Sequence, residues 1–277
     1  MTQTPLELSC VSLSYDEINV LNGTNLKLEQ GSVTGLLGRN GCGKTTLMRV
    51  ALGLMHADGG EATVFGVPSE DSPSEIRRRI GYVPQAFDNF SWMKVKDCVE
   101  FVASFYQDEW NAELIARLIK EWRLANRKIG ELSPGDQQKV SILLGIGHMP
   151  DLLLLDEPVA KLDPAARREF LRMLVEMNID HDQTILLSSH ITSDVERICS
   201  HIAILHEGRI VCQSSIDALK QHVRLVTVED SSIRSIKSVL GGKGTQRWVW
   251  YTEDLDLPPE ARVEETTLED LFIGVTT

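Results

Sequence analysis

The sequence has no apolar run near the roughly 20 residues that a membrane-crossing helix needs. Its most apolar stretch, Leu152-Leu153-Leu154-Leu155, has only the length of a core strand. Any membrane role therefore has to come through partner subunits. Met1 to Cys10 lacks a basic region followed by an apolar core, so no signal peptide is expected. Positive charge is scarce: 28 Lys and Arg stand against 40 Asp and Glu, a formal net charge of −12. That balance argues against a broad basic surface for nucleic acid, though not against a local basic patch. Cysteine is sparse and dispersed. Cys10, Cys42, Cys98, Cys199 and Cys212 contain no C-x-x-C pair, which fits a reducing cytosol rather than a disulfide framework or zinc site. The histidines show no ligand spacing with the cysteines, so no structural metal is expected. Internal repeats and low-complexity segments are absent as well.

What is present is an ordinary globular composition over 277 residues, enough for one large or two smaller domains with a sizeable core. One stretch organises the rest. Gly38-Arg39-Asn40-Gly41-Cys42-Gly43-Lys44-Thr45-Thr46 contains a complete G-x-x-x-x-G-K-[ST] pattern. The apolar, β-capable Val33 to Leu37 precedes it, and the helix-forming Leu47 to Leu52 follows. In that context glycines let the backbone curl until several N–H groups face one anion, and the helix adds its positive end. Lys44 supplies a full charge for the β- and γ-phosphates of a nucleotide, and the Thr45 hydroxyl is a ligand for Mg²⁺.

The chain around this loop reads as alternating strands and helices. Leu6 to Leu13 alternates as a half-buried strand, Asn22-Gly23 is a turn signal, and Leu26 to Leu28 is a second strand of an antiparallel opening sheet. Tyr15 either stands beside a bound adenine or simply ends a surface strand; its position leaves both open. Glu61 to Gly66 and Ile80 to Gln85 read as strands, separated by a short helix with the basic cluster Arg77, Arg78 and Arg79. Such clusters are mostly solvated faces. Gln85 falls at a strand's C-terminal end, where open α/β sheets bind ligands. Val95 to about Ile129 changes to helical spacing, with Trp92, Trp110 and Trp122 expected as packing residues. Ser133-Pro134-Gly135-Asp136 opens a helix: Ser133 as N-cap, Pro134 at the first position, Asp136 completing a capping box.

Asp151 to Pro158 is a buried strand ending in two acids, Asp156 and Glu157. Beside a phosphate loop the first is the Mg²⁺-associated acid, and the second is placed to activate a water. Pro164 to Met177 is helix, Thr184 to His190 a core strand that carries His190 towards a γ-phosphate, and Ser193 to Cys199 helix. A hairpin from Ile202 to Val211 closes the core. Beyond Asp217, strands at Arg224–Val228 and Gln246–Tyr251, a helix from Ile233 to Leu240 stopped by Gly241-Gly242, and a capped helix from Thr266 form an appendage.

Together these motifs resemble the ATP-binding subunit of ABC transporters, over residues 6 to 215. Gly38 to Thr45 is similar to Walker A, and Leu152 to Asp156 to Walker B with Glu157 as catalytic glutamate. Gln85 matches the Q-loop, His190 the switch histidine, Tyr15 the adenine-stacking aromatic, and Leu162-Asp163 the end of the D-loop. Thr267 to Phe272 resembles the tail of ABC-2-type exporter subunits, and Phe105-Tyr106 with Trp110 a small bacterial branch of them.

The resemblance implies an α/β fold: a P-loop NTPase (RecA-like) core with an antiparallel β-subdomain, a helical insertion and a small α+β C-terminal appendage. The expected divisions are 1–85 with 150–216 for the ATP-binding core, 86–149 for the helical signature subdomain, and 217–277 for the appendage. It implies ATP hydrolysis that powers substrate translocation, in the export direction, by a transmembrane permease subunit. Catalysis falls to Glu157, His190, Lys44 and Gln85. ATP is held by Tyr15, Gly38, Arg39, Asn40, Gly41, Cys42, Gly43, Lys44, Thr45 and Thr46, and Mg²⁺ by Thr45, Gln85 and Asp156. A second ATP-binding subunit, identical or different, pairs head to tail, and Ser133 and Gly135 face the γ-phosphate held across the interface. The implied location is the cytoplasmic face of a bacterial cell membrane, with no nucleic acid as partner.

Two motifs depart from the family. Leu132-Ser133-Pro134-Gly135-Asp136 stands for L-S-G-G-Q, and Ala160-Lys161 replaces the common Ser-Gly of the D-loop. Pro134 removes an N–H from an anion-facing helix start, and Asp136 brings a carboxylate towards a phosphate. Cys42, at a helix N-terminus, is expected to have a lowered thiol pKa, so that alkylation would block ATP binding; the bland alternative is a small residue without consequence. Competing functions are a soluble ABC-type ATPase and an ATP-dependent regulatory module not coupled to transport.

Overall fold

The computed structural model describes residues 3–87, 89–228, 239–242, 244–252, 255, 257 and 259–276. It opens with an antiparallel sheet of β1 (Leu6–Tyr15), β2 (Ile18–Lys27), β4 (Gly59–Val64) and β5 (Val67–Pro68), in the order β2-β1-β4-β5. Between them the chain enters the second sheet as β3 (Val33–Leu37) and leaves it through α1 (Lys44–Ala51). After α2 (Ser74–Arg78) and β6 (Ile80–Val83) comes a helical stretch: α3 (Val95–Ala103), α4 (Ala112–Glu121) and α5 (Pro134–Ile146). Then β7 (Leu152–Leu155), α6 (Pro164–His181), β8 (Thr184–Ser189), α7 (Thr192–Ile198), β9 (His201–His206) and β10 (Arg209–Ser215) complete the second sheet. Its order is β10-β9-β3-β8-β7-β6, parallel throughout except for the edge strand β10.

The central sheet is buried on both faces, and its leucines divide between them as the two-residue strand period requires. Leu152 and Leu154 of β7 face the antiparallel sheet and α1 with Leu36, Leu47 and Leu186. Leu153 and Leu155 face the helices with Leu37, Ile142, Leu143 and Leu187. Each buried leucine contributes about 1.5–3 kcal/mol relative to exposure, so an acid or amide within β7 would be strongly destabilising.

The chain continues through α8 (Ile216–His222), β11 (Val223–Thr227), β12 (Val239–Gly241), β13 (Gln246–Trp250), β14 (Arg262–Glu265) and α9 (Leu268–Val275). The four strands form a third, antiparallel sheet in the order β12-β13-β11-β14. Helix α9 starts where the sequence places it: Thr267 is the N-cap and accepts from the Asp270 N–H. It packs beside α7 and β13.

Four expectations change. The opening hairpin turns at Asp16-Glu17, with Tyr15 opposite Ile18 and Asp16 at φ 52°, a conformation aspartate tolerates. Asn22-Gly23 lies inside β2, where β1 and β2 slip register; Asn22 and the adjoining Thr24 dock on the β9–β10 turn through the Asn22 N–H and the Thr24 hydroxyl, both to the Gly208 carbonyl. Trp92 does not pack inside: it is 74% exposed, whereas Trp110 and Trp122 pack against the core. Of the helix expected over 233–240, residues 233–238 lie outside the described residues, while Val239 and Leu240 are strand. Gly241, read as a helix stop, continues that strand beside Trp248, its contact with Val275 leaving no room for a side chain. Among the described residues no helix is long and apolar enough to cross a membrane.

Candidate active site

The C-terminal ends of β3, β6, β7 and β8 lie along one edge of the parallel sheet, and each delivers a polar group there. From β3 the chain enters the glycine loop. Gly41 has φ 81° and Gly43 φ 107°, and a side chain at Gly43 would meet the Val20 carbonyl at 2.9 Å. Only glycine allows this curl against β2. Gly43 is the N-cap of α1 and offers no side-chain cap, so the helix's first N–H groups are left for another acceptor; the loop and first turn line an open cleft. The cleft brings together Tyr15, Asn40, Gly41, Gly43 to Thr46, Gln85, Asp156 and Glu157.

Lys44 is 7% exposed. Its Nζ donates to the Gly38 carbonyl at 2.7 Å and the Arg39 carbonyl at 3.3 Å, and lies 3.3 Å from Glu157 Oε1. Glu157, also 7% exposed, places its other oxygen 2.9 Å from His190 Nδ1. One buried carboxylate thus joins the loop lysine to the histidine beyond β8. Oε1 accepts no well-aligned hydrogen bond, and the Lys44 ammonium is its close partner.

Asp156 is fully buried. Its Oδ2 accepts from the Thr45 hydroxyl at 2.6 Å and its Oδ1 from the Ser188 hydroxyl at 2.8 Å. The Ser188 oxygen in turn accepts the Glu157 N–H at 2.8 Å. Ser188 and Val20 complete this arrangement, and sequence reasoning missed both. Ser188 reads as a polar strand end; the one available sign was its place two residues before His190.

Gly38 and Arg39 do not line the cleft. Gly38 supplies a carbonyl to Lys44, and Arg39 reaches the Thr276 carbonyl at 3.3 Å, so the chain's last described turn touches the loop. Tyr15 is 44% exposed at the cleft's outer wall, its hydroxyl 3.0 Å from Met55 Sδ. Cys42 corrects an expectation. Burial pushes its thiol up, outweighing the nearby Lys44 charge and the loop N–H groups that pull it down.

Ser133 and Gly135 lie elsewhere, at the start of α5. The Ser133 hydroxyl accepts from the Asp136 N–H as an N-cap. Gly135 meets the Lys161 carbonyl so closely that a Cβ would stand 2.8 Å away. Asp136 bonds Arg127 at 2.8 Å and faces Lys139 at 3.4 Å. Partial burial raises its pKa, but Ser133, Arg127 and Lys139 together outweigh that and hold the carboxyl below its usual range. The acid in the altered signature is therefore ionised but locally neutralised.

Comparison with known proteins agrees with this geometry. The ABC transporter family pattern matches residues 21–160. The chain is 34% identical over 228 residues to the Nod factor export ATP-binding protein I of Burkholderia orbicola, covering 79% of this chain and 73% of that one. It is 30% identical over 223 residues to the bacitracin transport ATP-binding protein BcrA of Bacillus licheniformis, covering 80% and 73%. A solved ATP-binding subunit of an ABC transporter superposes with a TM-score of 0.70 at 29% identity, over 79% of this chain and 92% of that one. The P-loop, the paired acids and the parallel sheet that carries them place the chain in the ABC transporter family, as an ATP-binding and ATP-hydrolysing subunit that serves a separate membrane subunit.

Proposed function

We propose that this chain drives export through a membrane-embedded partner by hydrolysing ATP at the cleft between α1 and the ends of β7 and β8. The observation that carries this reading is the Glu157 carboxylate, held between Lys44 and His190 at the end of β7. When ATP enters, the N–H groups of Gly41 to Thr45 receive the phosphates. Lys44 leaves Glu157 for the β- and γ-phosphates, and Tyr15 stacks on the adenine. Released from the lysine, Glu157 takes the proton of a water that attacks the γ-phosphorus; His190 orients the carboxylate and contacts the γ-phosphate.

The Thr45 hydroxyl and Asp156 carboxylate, hard oxygens in direct contact, fit Mg²⁺, which prefers one or two protein ligands together with substrate phosphates; Gln85 borders the same cleft. Held there, Mg²⁺ would neutralise charge on the β- and γ-phosphates.

Ser133 and Gly135 do not line their own chain's cleft, and a second ATP-binding subunit, head to tail, would bring such residues to the γ-phosphate. The membrane partner docks on the helical stretch. There Phe90, Trp92, Phe101 and Phe105 form a ladder of edge-on rings, with Trp92 74% and Phe105 56% exposed. Water-facing aromatics in that number mark an interaction surface. The relative named for Nod factor export supports export as the direction, and the bacterial source of both relatives supports a bacterial membrane, at its cytoplasmic face, as the location.

The test is ATP binding and phosphate release by the full chain and its Lys44→Ala variant, alone and with the membrane subunit. The expected result is turnover that rises with the membrane subunit and is absent from the variant. Equal turnover by parent and variant would refute the reading.

A further inference from the structure

Glu157 adopts φ 49°, the left-handed region that non-glycine residues rarely occupy, and Pro158 follows it. A residue before proline is already restricted in its backbone, so this conformation persists only where neighbours enforce it. The Ala160 N–H holds the Glu157 carbonyl at 3.2 Å, and Ser188 holds its N–H. The Ser188 hydroxyl is fully buried, accepts the Glu157 N–H and donates to Asp156 Oδ1, both at 2.8 Å. One side chain therefore holds the peptide between the two acids and one oxygen of the first acid. The second oxygen of Asp156 is held by Thr45. The chain of contacts Thr45–Asp156–Ser188–Glu157 ties the phosphate loop to the base.

We infer that Ser188 is a positioning residue for hydrolysis: it fixes the left-handed turn that aims the Glu157 carboxylate into the cleft. Ser188 does not line the cleft and leaves the phosphate-facing N–H groups and Lys44 untouched. Its contribution therefore falls on the chemical step rather than on ATP binding. Without the hydroxyl, the Glu157 N–H and one Asp156 oxygen lose their partner in the interior, and the turn relaxes towards a common backbone region. The carboxylate then swings away from the attacking water, and small misplacements of a catalytic group are costly.

This inference rests on Glu157 acting as the base. The experiment measures ATP affinity, KM and kcat per ATP-binding molecule for the full chain and for Ser188→Ala and Glu157→Gln, with folding checked by thermal melting. Ser188→Cys, close in volume and a weak hydrogen-bonding group, is read in the same way should the alanine variant not fold. The expected result is a drop in kcat of about ten- to a hundredfold for Ser188→Ala, with ATP affinity within about twofold of the parent. If Glu157→Gln stops turnover while Ser188→Ala matches the parent in kcat, the role of Ser188 is overturned and that of Glu157 stands. A loss of ATP affinity equal to the loss of kcat would also overturn it, by marking Ser188 as general scaffold. Normal turnover in Glu157→Gln would instead sink the assignment of the base.

Discussion

Replacing Glu157 by glutamine separates two jobs of one carboxylate. Glutamine keeps the shape and can still bond His190, but it neither takes a proton nor pairs with Lys44. Loss of a general base costs about 10²–10⁴-fold in turnover. The second effect follows from the ion pair. At 3.3 Å, with both side chains under a tenth exposed, the Lys44–Glu157 attraction is about 5 kcal/mol gross at an effective dielectric of about 20. Desolvation offsets most of that, leaving about 1.5–3 kcal/mol, as for other hydrogen bonds to charged groups. ATP has to break this contact to recruit Lys44. The variant therefore binds ATP about ten- to a hundredfold more tightly while hydrolysing it far more slowly. Without nucleotide it melts lower than the parent, because Lys44 keeps only two carbonyls, and ATP more than restores the difference. Calorimetric titration with ATP, a phosphate-release assay and melting curves read the three effects. Turnover close to the parent's would refute the base, and unchanged ATP affinity would refute the stored lysine.

Other outcomes follow from neighbouring contacts. Arg127→Ala should lower turnover by freeing the Asp136 carboxylate in the signature, and adding Asp136→Asn should restore it; additive losses in this double-mutant cycle would refute local neutralisation. Because burial raises the Cys42 thiol, less of it is thiolate at neutral pH, so alkylation should be slow at pH 7, accelerate with rising pH and be retarded by ATP; rapid labelling at pH 7 would contradict this. Trp92→Ala, at a 74% exposed site, should change stability by no more than about 0.5 kcal/mol and leave turnover of the isolated chain intact, yet weaken association with the membrane subunit; unchanged association would refute the docking surface.

The loop, β7 and the capped helices were legible because each signal is local. Glycines with Lys44 mark the curl, four leucines mark a two-sided buried strand, and Ser133 and Thr267 cap helices through N–H groups three residues on. What escaped depends on distant partners. Asn22-Gly23 has the chemistry of a hairpin turn, but Gly208 on the β9–β10 turn captures Asn22 and Thr24, and the hairpin forms at Asp16-Glu17. Cys42 shows two effects of opposite sign: position at a helix start favours thiolate, burial disfavours it, and burial wins. Strand β14 escaped because its residues are exposed and weakly patterned. Ser188 escaped because its partners, Asp156 and Glu157, are more than thirty residues away in the chain. The ion pairs that neutralise Asp136 are likewise visible only once Arg127 is folded against α5.

Hydrolysis at this cleft serves a separate membrane-spanning subunit. This coupling is tested by isolating the tagged full chain from detergent-solubilised membranes of the cell that makes it, identifying what accompanies it, and measuring ATP turnover of that assembly in liposomes. The expected result is an apolar, multi-span protein in stoichiometric amount, and turnover that is lost with Lys44→Ala. Recovery of the chain alone from the soluble fraction, with full turnover and no gain on adding membranes, would contradict it.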